Sequence, residues 1–453
     1  MFTMRFARLA LAVALAAATG STLAKATAQE IERLGKDLTP VGAENAGNKE
    51  GTIPAWDGGL TKVPAGFDPK KGYADPYTAD KPLLTITAAN VEQYKDKLAQ
   101  GQLALLKKFP SYKIVVYPTR RSAALPQAQY DEIRKFAGAA ELTAGGNGVT
   151  GSGTSSTPFP FPKAGEEVLW NHSLRWRGGS YERDSSWYNV QSNGSSFRVA
   201  ITERWAFENA GYLDTRRDNV NWDFIAYYRQ PATLEGTIYL AWDPIDQTKE
   251  TRSGWIYNAG QRRVRRVPEL CCDYTGDGTD GLRYADQYDG WNGQTDRYTW
   301  KLVDKKEMYI PYNVFKLNDK SLKAAHVLKP GHPNTDLLRY ELHRVWVVEG
   351  TLKAGARHII AKRTMYFDED TFQNAAADLY DSRGELWRFQ ETYMMQHYDA
   401  SVPLYSGITF YDLNSGAYQL SWATFEEKAP TVFGVKYKLA DFQPDSLRRM
   451  GGK

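Results

Sequence analysis

Apolar and polar residues alternate with a period of two along much of the chain beyond residue 166. Phe197, Val199, Ile201, Trp205 and Phe207 interleave with Arg198, Thr202 and Arg204, and Ile238, Leu240 and Trp242 interleave with Thr237, Tyr239 and Asp243. Successive side chains of a strand point to opposite faces, so this is the pattern of half-buried antiparallel strands. Further strands are expected near 224–229, 252–258, 297–303, 342–352, 358–367, 384–397 and 406–412. Several reach about ten residues, roughly 33 Å at strand rise. Long consecutive antiparallel strands with few helices predict a mainly β (α+β) fold. Its centre would be a large curved antiparallel sheet or open barrel, with a few helices covering one face or plugging the mouth. No internal repeat is present.

The first part of the chain reads differently. Residues 29–86 are rich in Gly, Pro and Asp and show little periodicity beyond a short helix at 31–36. Thr87 is an expected N-cap for a helix carrying Val91, Tyr94, Leu98, Leu105 and Phe109, with Gly101 a point at which it can split; a short strand at 114–117 follows. Pro126 opens another helix, with Tyr130, Ile133 and Phe136 on one face. Residues 144–157, AGGNGVTGSGTSST, are expected to form a flexible surface loop. Domain organisation follows: a leader at 1–28, an N-terminal segment at 29–143 packed on the sheet, the Gly/Ser-rich loop, and the half-barrel at 158–453. Residues 29–453 are expected to act as one unit.

One hairpin stands out for its charge. In WIYNAGQRRVRRV (255–267), an aromatic strand enters a turn at Asn258-Ala259-Gly260 and returns carrying Arg262, Arg263, Arg265 and Arg266. Alternation puts Arg263 and Arg265 on one face and Arg262, Val264 and Arg266 on the other. The four arginines are a candidate docking surface for acidic headgroups or an acidic partner. The favoured reading is pairing with Asp and Glu of neighbouring strands, since surface arginine pairs need no special function.

The N-terminus changes the compartment. Arg5 and Arg8 precede an apolar run from Leu9 to Ala18, too short to span a bilayer, followed by the overlapping small-x-small sites Ala24-Lys25-Ala26 and Ala26-Thr27-Ala28. Export to the periplasm is expected, with cleavage after Ala28. No cysteine follows the apolar run, so a lipoprotein is not expected. The formal charge of +4 includes Arg5, Arg8 and Lys25, and the mature chain carries +1. That gives no argument for nucleic acid as a partner. Trp and Tyr, at 13 and 28 residues against 18 Phe, suit wide, partly wetted sheets and also sugar or lipid clefts.

Candidate chemistry is sparse. No nucleophile elbow, Walker loop, HExxH or CxxC motif occurs, and the six histidines lack metal-ligand spacing. His343 and His358 flank the 342–367 hairpin and are expected to face each other across it. DYTGDGTDG offers Asp273, Asp277 and Asp280 to calcium but lacks EF-hand order. Asp368, Glu369 and Asp370 end a strand, where carboxylates are usually solvated. Cys271 and Cys272 are adjacent, and a disulfide between them constrains almost no chain entropy. A redox role stands against a stiffened turn or two inert thiols. Neither catalytic residues nor cofactor or metal ligands are assigned.

Several long runs together carry a resemblance: LGKDLTPVGAENAGNKEGTIPAWDGGL, ITAANVEQYKDKLAQGQLALLKKFP, VYPTRRSAALP, WIYNAGQRRVRRVPEL, DRYTWKLVDKKEMYIPYN and RYELHRVWVVEGTLKAGARHIIAKRTMYFDED. They resemble the exported domain-of-unknown-function family 1329, known as outer membrane lipoprotein-sorting proteins, across nearly the whole mature chain. Cys271-Cys272 and the 144–157 insert stand outside that pattern. The resemblance implies a LolA/LolB-like open half-barrel whose helices lid an apolar cavity. It also implies association with outer-membrane barrels and resistance-nodulation-division type exporters. A cavity lined by Ile238, Leu240, Trp242, Trp255, Trp346 and Val348 is therefore expected to hold a hydrophobic small molecule or lipid. Two alternatives remain open: a non-enzymatic adaptor between an inner-membrane exporter and an outer-membrane barrel, and a glycan-acting enzyme. The enzyme requires two carboxylates about 5–10 Å apart in a cleft.

Overall fold

A computed structural model describes residues 25–207, 210–267 and 270–451. Most of the expected leader, residues 1–24, lies outside the described residues. No described helix is long and apolar enough to cross a membrane.

The chain begins with the short helix α1 (Ala28–Glu32), capped by Thr27. Strands β1 (Leu84–Ile86) and β2 (Ile114–Val116) pair with each other, and β2 touches the main sheet through a single parallel bridge, Val116 to Tyr340. Between them lies α2 (Gln100–Lys108), which starts at Gln100 rather than near Thr87. Its start is fixed by Asp378, which accepts the backbone N–H groups of Gln100 at 3.0 Å and Gly101 at 2.7 Å. A carboxylate at a helix N-terminus satisfies donors that the helix itself leaves free. Gly101 is required there, because a Cβ would sit 2.1 Å from the Phe389 ring. Helix α3 (Gln127–Phe136) follows Pro126 as expected.

The 144–157 run is not a free loop. It holds the second strand of a small ribbon, β3 (Glu141–Leu142) with β4 (Val149–Thr150), and buries Ser155, Ser156 and Thr157. The Gly146 carbonyl accepts the indole N–H of Trp170 at 2.9 Å and the hydroxyl of Thr295 at 3.0 Å. Trp170 belongs to α4 (Gly165–Leu174), a helix in a region read from sequence as β. It is apolar on nearly every side because it is buried, and so shows no amphipathic period.

The sheet proper has two antiparallel halves. The first runs β5 (Ser180–Val190), β6 (Ser196–Phe207), β7 (Trp222–Gln230), β8 (Ile238–Asp243), β9 (Ser253–Asn258) and β10 (Arg263–Val267), each paired with the next. The second runs β11 (Tyr298–Pro311), β12 (Tyr340–Leu352), β13 (Lys362–Asp368), β14 (Asn374–Tyr380), β15 (Leu386–His397), β16 (Val402–Asp412) and β17 (Tyr418–Ala423). The halves join where β17 pairs with β5, and β18 (Val432–Phe433) adds to the far end of β5. The result is one sheet of sixteen strands whose ends, β1 and β10, do not meet. The fold is therefore mainly β, a large curved antiparallel half-barrel left open, with few helices.

Both faces of β7–β9 are covered. The main core occupies the inner face and joins Leu105 and Leu106 of α2 to Trp205, Phe389 and Tyr418 of the sheet. The outer face of β7–β9 packs under the C-terminal segment, where Phe442 and Leu447 of the 439–451 region bury against Ile225, Ile238 and Leu240. The last element there is α5 (Pro444–Gly451).

Candidate functional site

On the inner face of β5–β8, alternate residues present Trp187, Trp205, Trp222, Phe224, Tyr228 and Tyr239, with Ala226 and Ala241 leaving space between the rings. The segment 270–292, between β10 and β11, lies across this face and contributes Leu270, Tyr274, Thr279, Arg283 and Tyr288. The two together enclose a cavity of about 80 Å³. The aromatic walls are tightly nested: Trp205 lies 4.5 Å from Phe224 and 5.0 Å from Trp222 between ring centroids, and Tyr288 lies 4.6 Å from Trp422. Side chains thus fill much of the concave face, and the free space suits a small apolar body or a few carbons.

The cover is tied to the sheet by specific bonds. Tyr239 donates its hydroxyl to Asp277 Oδ2 at 2.7 Å, and Tyr228 donates to the Asp277 carbonyl at 3.0 Å. Asn189 donates to the Gly278 carbonyl at 2.9 Å, and Gln191 to Asp280 Oδ2 at 2.7 Å. Asp273 turns elsewhere and accepts the N–H of Ile359 at 3.1 Å. The three acids considered for calcium therefore serve three separate partners and do not converge. Cys271 and Cys272 are joined in a vicinal disulfide at the start of this segment.

Beneath the cavity lies a buried polar centre. Glu203 pairs with Arg183 at 2.9 Å and accepts from the Tyr288 hydroxyl at 2.6 Å and the Trp422 indole at 3.2 Å. Arg252, at the cavity wall, pairs with Asp243 at 2.7 Å. Arg283 is 4 % exposed and donates its Nε to Gln419 Oε1 at 3.0 Å. Burial pulls its pKa below the ordinary arginine value. No Asp or Glu lines the cavity among the described residues, so the pair of carboxylates that a glycosidase needs is not found there.

The six residues expected to line a cavity are not brought together. Ile238, Leu240, Trp242 and Trp255 occupy the outer face with Phe442 and Leu447, and Trp242 donates its indole N–H to the Phe442 carbonyl at 2.8 Å. Trp346 and Val348 lie in a third cluster with Val168 and Leu169 of α4. The reason is parity. β8 is apolar on both faces, and the cavity takes the other set, Tyr239 and Ala241.

The arginines of the hairpin are all exposed. Arg263, Arg265 and Arg266 lie on β10, while Arg262 sits in the turn with φ +51°. Among the described residues none of the four has an ion pair, in contrast to the pairing expected; Arg266 reaches only the Ser253 hydroxyl, at 3.4 Å. They lie along a strand at one end of the open sheet.

A second polar cluster was not foreseen. Asp368, Glu369 and Asp370, expected to be solvated, are all buried. Asp370 is held by Arg121 through two hydrogen bonds of 2.6 and 2.9 Å, and Glu369 by Lys305 at 2.8 Å. His343 Nδ1 lies 3.6 Å from Asp368 Oδ1, and its ring stacks on Tyr312 at 4.0 Å. His343 does not face His358. The pairing of Val345 with Asp368 carries it past the end of β13, and His358 instead pairs with Asp286 at 3.0 Å. Burial, then the neighbouring Asp370, pushes Asp368 up to about 7. His343, Asp368 and Asp370 each offer an atom within 4.8 Å of the others. Arg121 takes both Asp370 oxygens and Thr371 donates to Asp368 Oδ2 at 2.7 Å. That leaves one oxygen and one imidazole nitrogen, fewer ligands than a divalent cation takes. The sequence signal was present in the hairpin register, which a one-strand reading could not fix.

An open, mainly β half-barrel with an aromatic cavity under a loop cover is the class of protein that this geometry defines. The chain belongs to the DUF1329 family, proteins of unknown function, whose model matches residues 85–448. It is 46 % identical over 442 residues to the uncharacterized protein PA3922 of Pseudomonas aeruginosa, covering 97 % of each chain. Among solved structures it is similar to a DUF1329 family protein from Desulfovibrio piger (12 % identity, 60 % of this chain and 92 % of that one, TM-score 0.41). It is also similar to a LolA superfamily protein from Nitrosomonas europaea (11 % identity, 63 % and 100 %, TM-score 0.39).

Proposed function

We propose that this protein is a periplasmic, non-enzymatic carrier or binding protein for a hydrophobic ligand, lipid or lipoprotein-like, working with an envelope export system. The apolar cavity beneath residues 270–292 carries this reading. Six aromatic rings on four adjacent strands converge on a space that no acid lines, which is the composition of a site for an apolar guest. A ligand larger than a few carbons enters only by displacing the part of the cover that polar bonds tie to Tyr228, Tyr239 and Asn189.

The test is uptake of a neutral apolar dye, N-phenyl-1-naphthylamine, by protein purified without detergent, together with native and denaturing mass spectrometry. Saturable uptake is expected, and Ala241→Leu, which fills the space between the rings, should weaken it about tenfold. A folded protein that neither takes up dye nor copurifies with an extractable mass defeats the carrier reading.

A further inference from the structure

Three arginines stand in or under the cavity wall, and two have their counter-ions. Arg183 faces Glu203 and Arg252 faces Asp243. Arg283 has none: its one hydrogen bond among the described residues goes from Nε to the neutral amide of Gln419. Glu203, whose charge reaches Arg283, is already held by Arg183, and Asp277, beside the cavity, is half-buried at the rim and accepts from Tyr239. An unpaired buried charge is costly. Part of that cost is offset by aromatic faces, since the guanidinium carbon lies 4.5 Å from the Trp187 ring centroid, 4.8 Å from Tyr288, 4.9 Å from Trp422 and 6.0 Å from Phe410. Arg283 lines the cavity, and neither of its terminal nitrogens is hydrogen-bonded among the described residues.

We infer that the cavity takes an apolar molecule bearing one carboxylate, and that the guanidinium of Arg283 receives that carboxylate end-on. This rests on the cavity being the ligand site. With Gln419 occupying Nε, the two terminal nitrogens remain for the two parallel bonds that arginine makes to a carboxylate. A single charge fits better than a phosphate monoester, which carries about −1.5 to −2 near neutral pH and would leave part of its charge unmatched among aromatic rings. The small free volume favours the same choice. The apolar body then lies along Phe224 and Trp222, toward the cover.

Displacement of N-phenyl-1-naphthylamine by octanoate and by 1-octanol tests this, because the two share a chain and differ in charge. Octanoate should bind at least ~10-fold more tightly, the size of a charge-assisted hydrogen-bond pair. Arg283→Met should bring the ratio near one while octanol still binds. Gln419→Glu is a second variant, with its fold checked by near-ultraviolet circular dichroism. It places the missing carboxylate inside the protein, so octanoate should again lose its advantage. Equal binding of the two by the parent protein, or a preference that survives Arg283→Met, overturns the inference and leaves the apolar site standing. If neither compound nor the dye binds, both are overturned.

Discussion

At the scale of single residues, some buried carboxyl groups have hydrogen-bond donors but no cation beside them. Glu391 accepts from Gln102 at 2.9 Å, Tyr340 at 3.1 Å and Tyr112 at 3.2 Å, and no basic side chain pairs with it among the described residues. Burial dominates over these donors and pushes it up to about 7. A carboxyl whose folded-state pKa exceeds its unfolded value of ~4.3 contributes stability that is complete below the unfolded value and lost as pH rises through about 7. Glu391→Gln imitates the neutral acid, so its melting temperature should match the parent near pH 5 and exceed it by roughly 2 °C or more above pH 8. Parallel melting curves for the two proteins across that range would refute the assignment. Such residues were not legible in the sequence. Glu391 lies on a strand in RFQETYMMQH, where period two marks a face but does not say that both faces are covered. The same blindness made Asp368, Glu369 and Asp370 look solvated, since their partners Arg121 and Lys305 are far away along the chain.

At the scale of elements, alternation located most of the long strands, and β12, β15 and β16 lie close to where the pattern placed them. It could not choose a face in β8, because the inner set Tyr239 and Ala241 and the outer set Ile238, Leu240 and Trp242 are both apolar enough to be core. It also missed α4, whose burial on all sides removes the helical period. The first helix bears on processing. Thr27 and Glu30 form a reciprocal cap, with Thr27 N–H donating to Glu30 at 2.7 Å and Glu30 N–H donating to the Thr27 hydroxyl at 3.2 Å. Cleavage after Ala28 would remove this cap and the first residue of α1, whereas cleavage at the overlapping site after Ala26 keeps both. A new ammonium at Thr27 would make a charge-assisted contact with the Glu30 carboxylate, which offsets its repulsion from the helix dipole. If the leader is removed, N-terminal sequencing of the mature protein should therefore begin at Thr27; a sequence starting at Gln29 would show that the cap plays no part in the mature fold.

At the scale of the whole molecule, an open half-barrel has an edge where a closed barrel has none, and an unpaired edge strand is a template for a second copy. The strand β10 is one such edge. Its inward residue Val264 packs with the outer-face core beside Tyr257, while Arg263, Arg265 and Arg266 stay exposed with no ion pair among the described residues. Two copies meeting edge to edge would bring six of these charges together along one seam, a repulsion that low salt would strengthen. Arg263→Thr with Arg265→Thr keeps strand propensity and removes that repulsion. The double variant should sediment as a larger species than the parent at equal concentration, with the difference greatest at low ionic strength. Binding of the neutral dye should be unchanged, because β10 lies outside the cavity lining. An unchanged sedimentation profile would remove edge protection as the reason for the arginines and leave them to a docking role with an acidic partner. In that case the charge-reversing pair Arg262→Glu and Arg265→Glu should abolish retention of the protein on vesicles of acidic phospholipid. Self-association and docking draw on the same four charges but respond to different substitutions: neutral threonine opens the edge, and only glutamate repels an acidic surface.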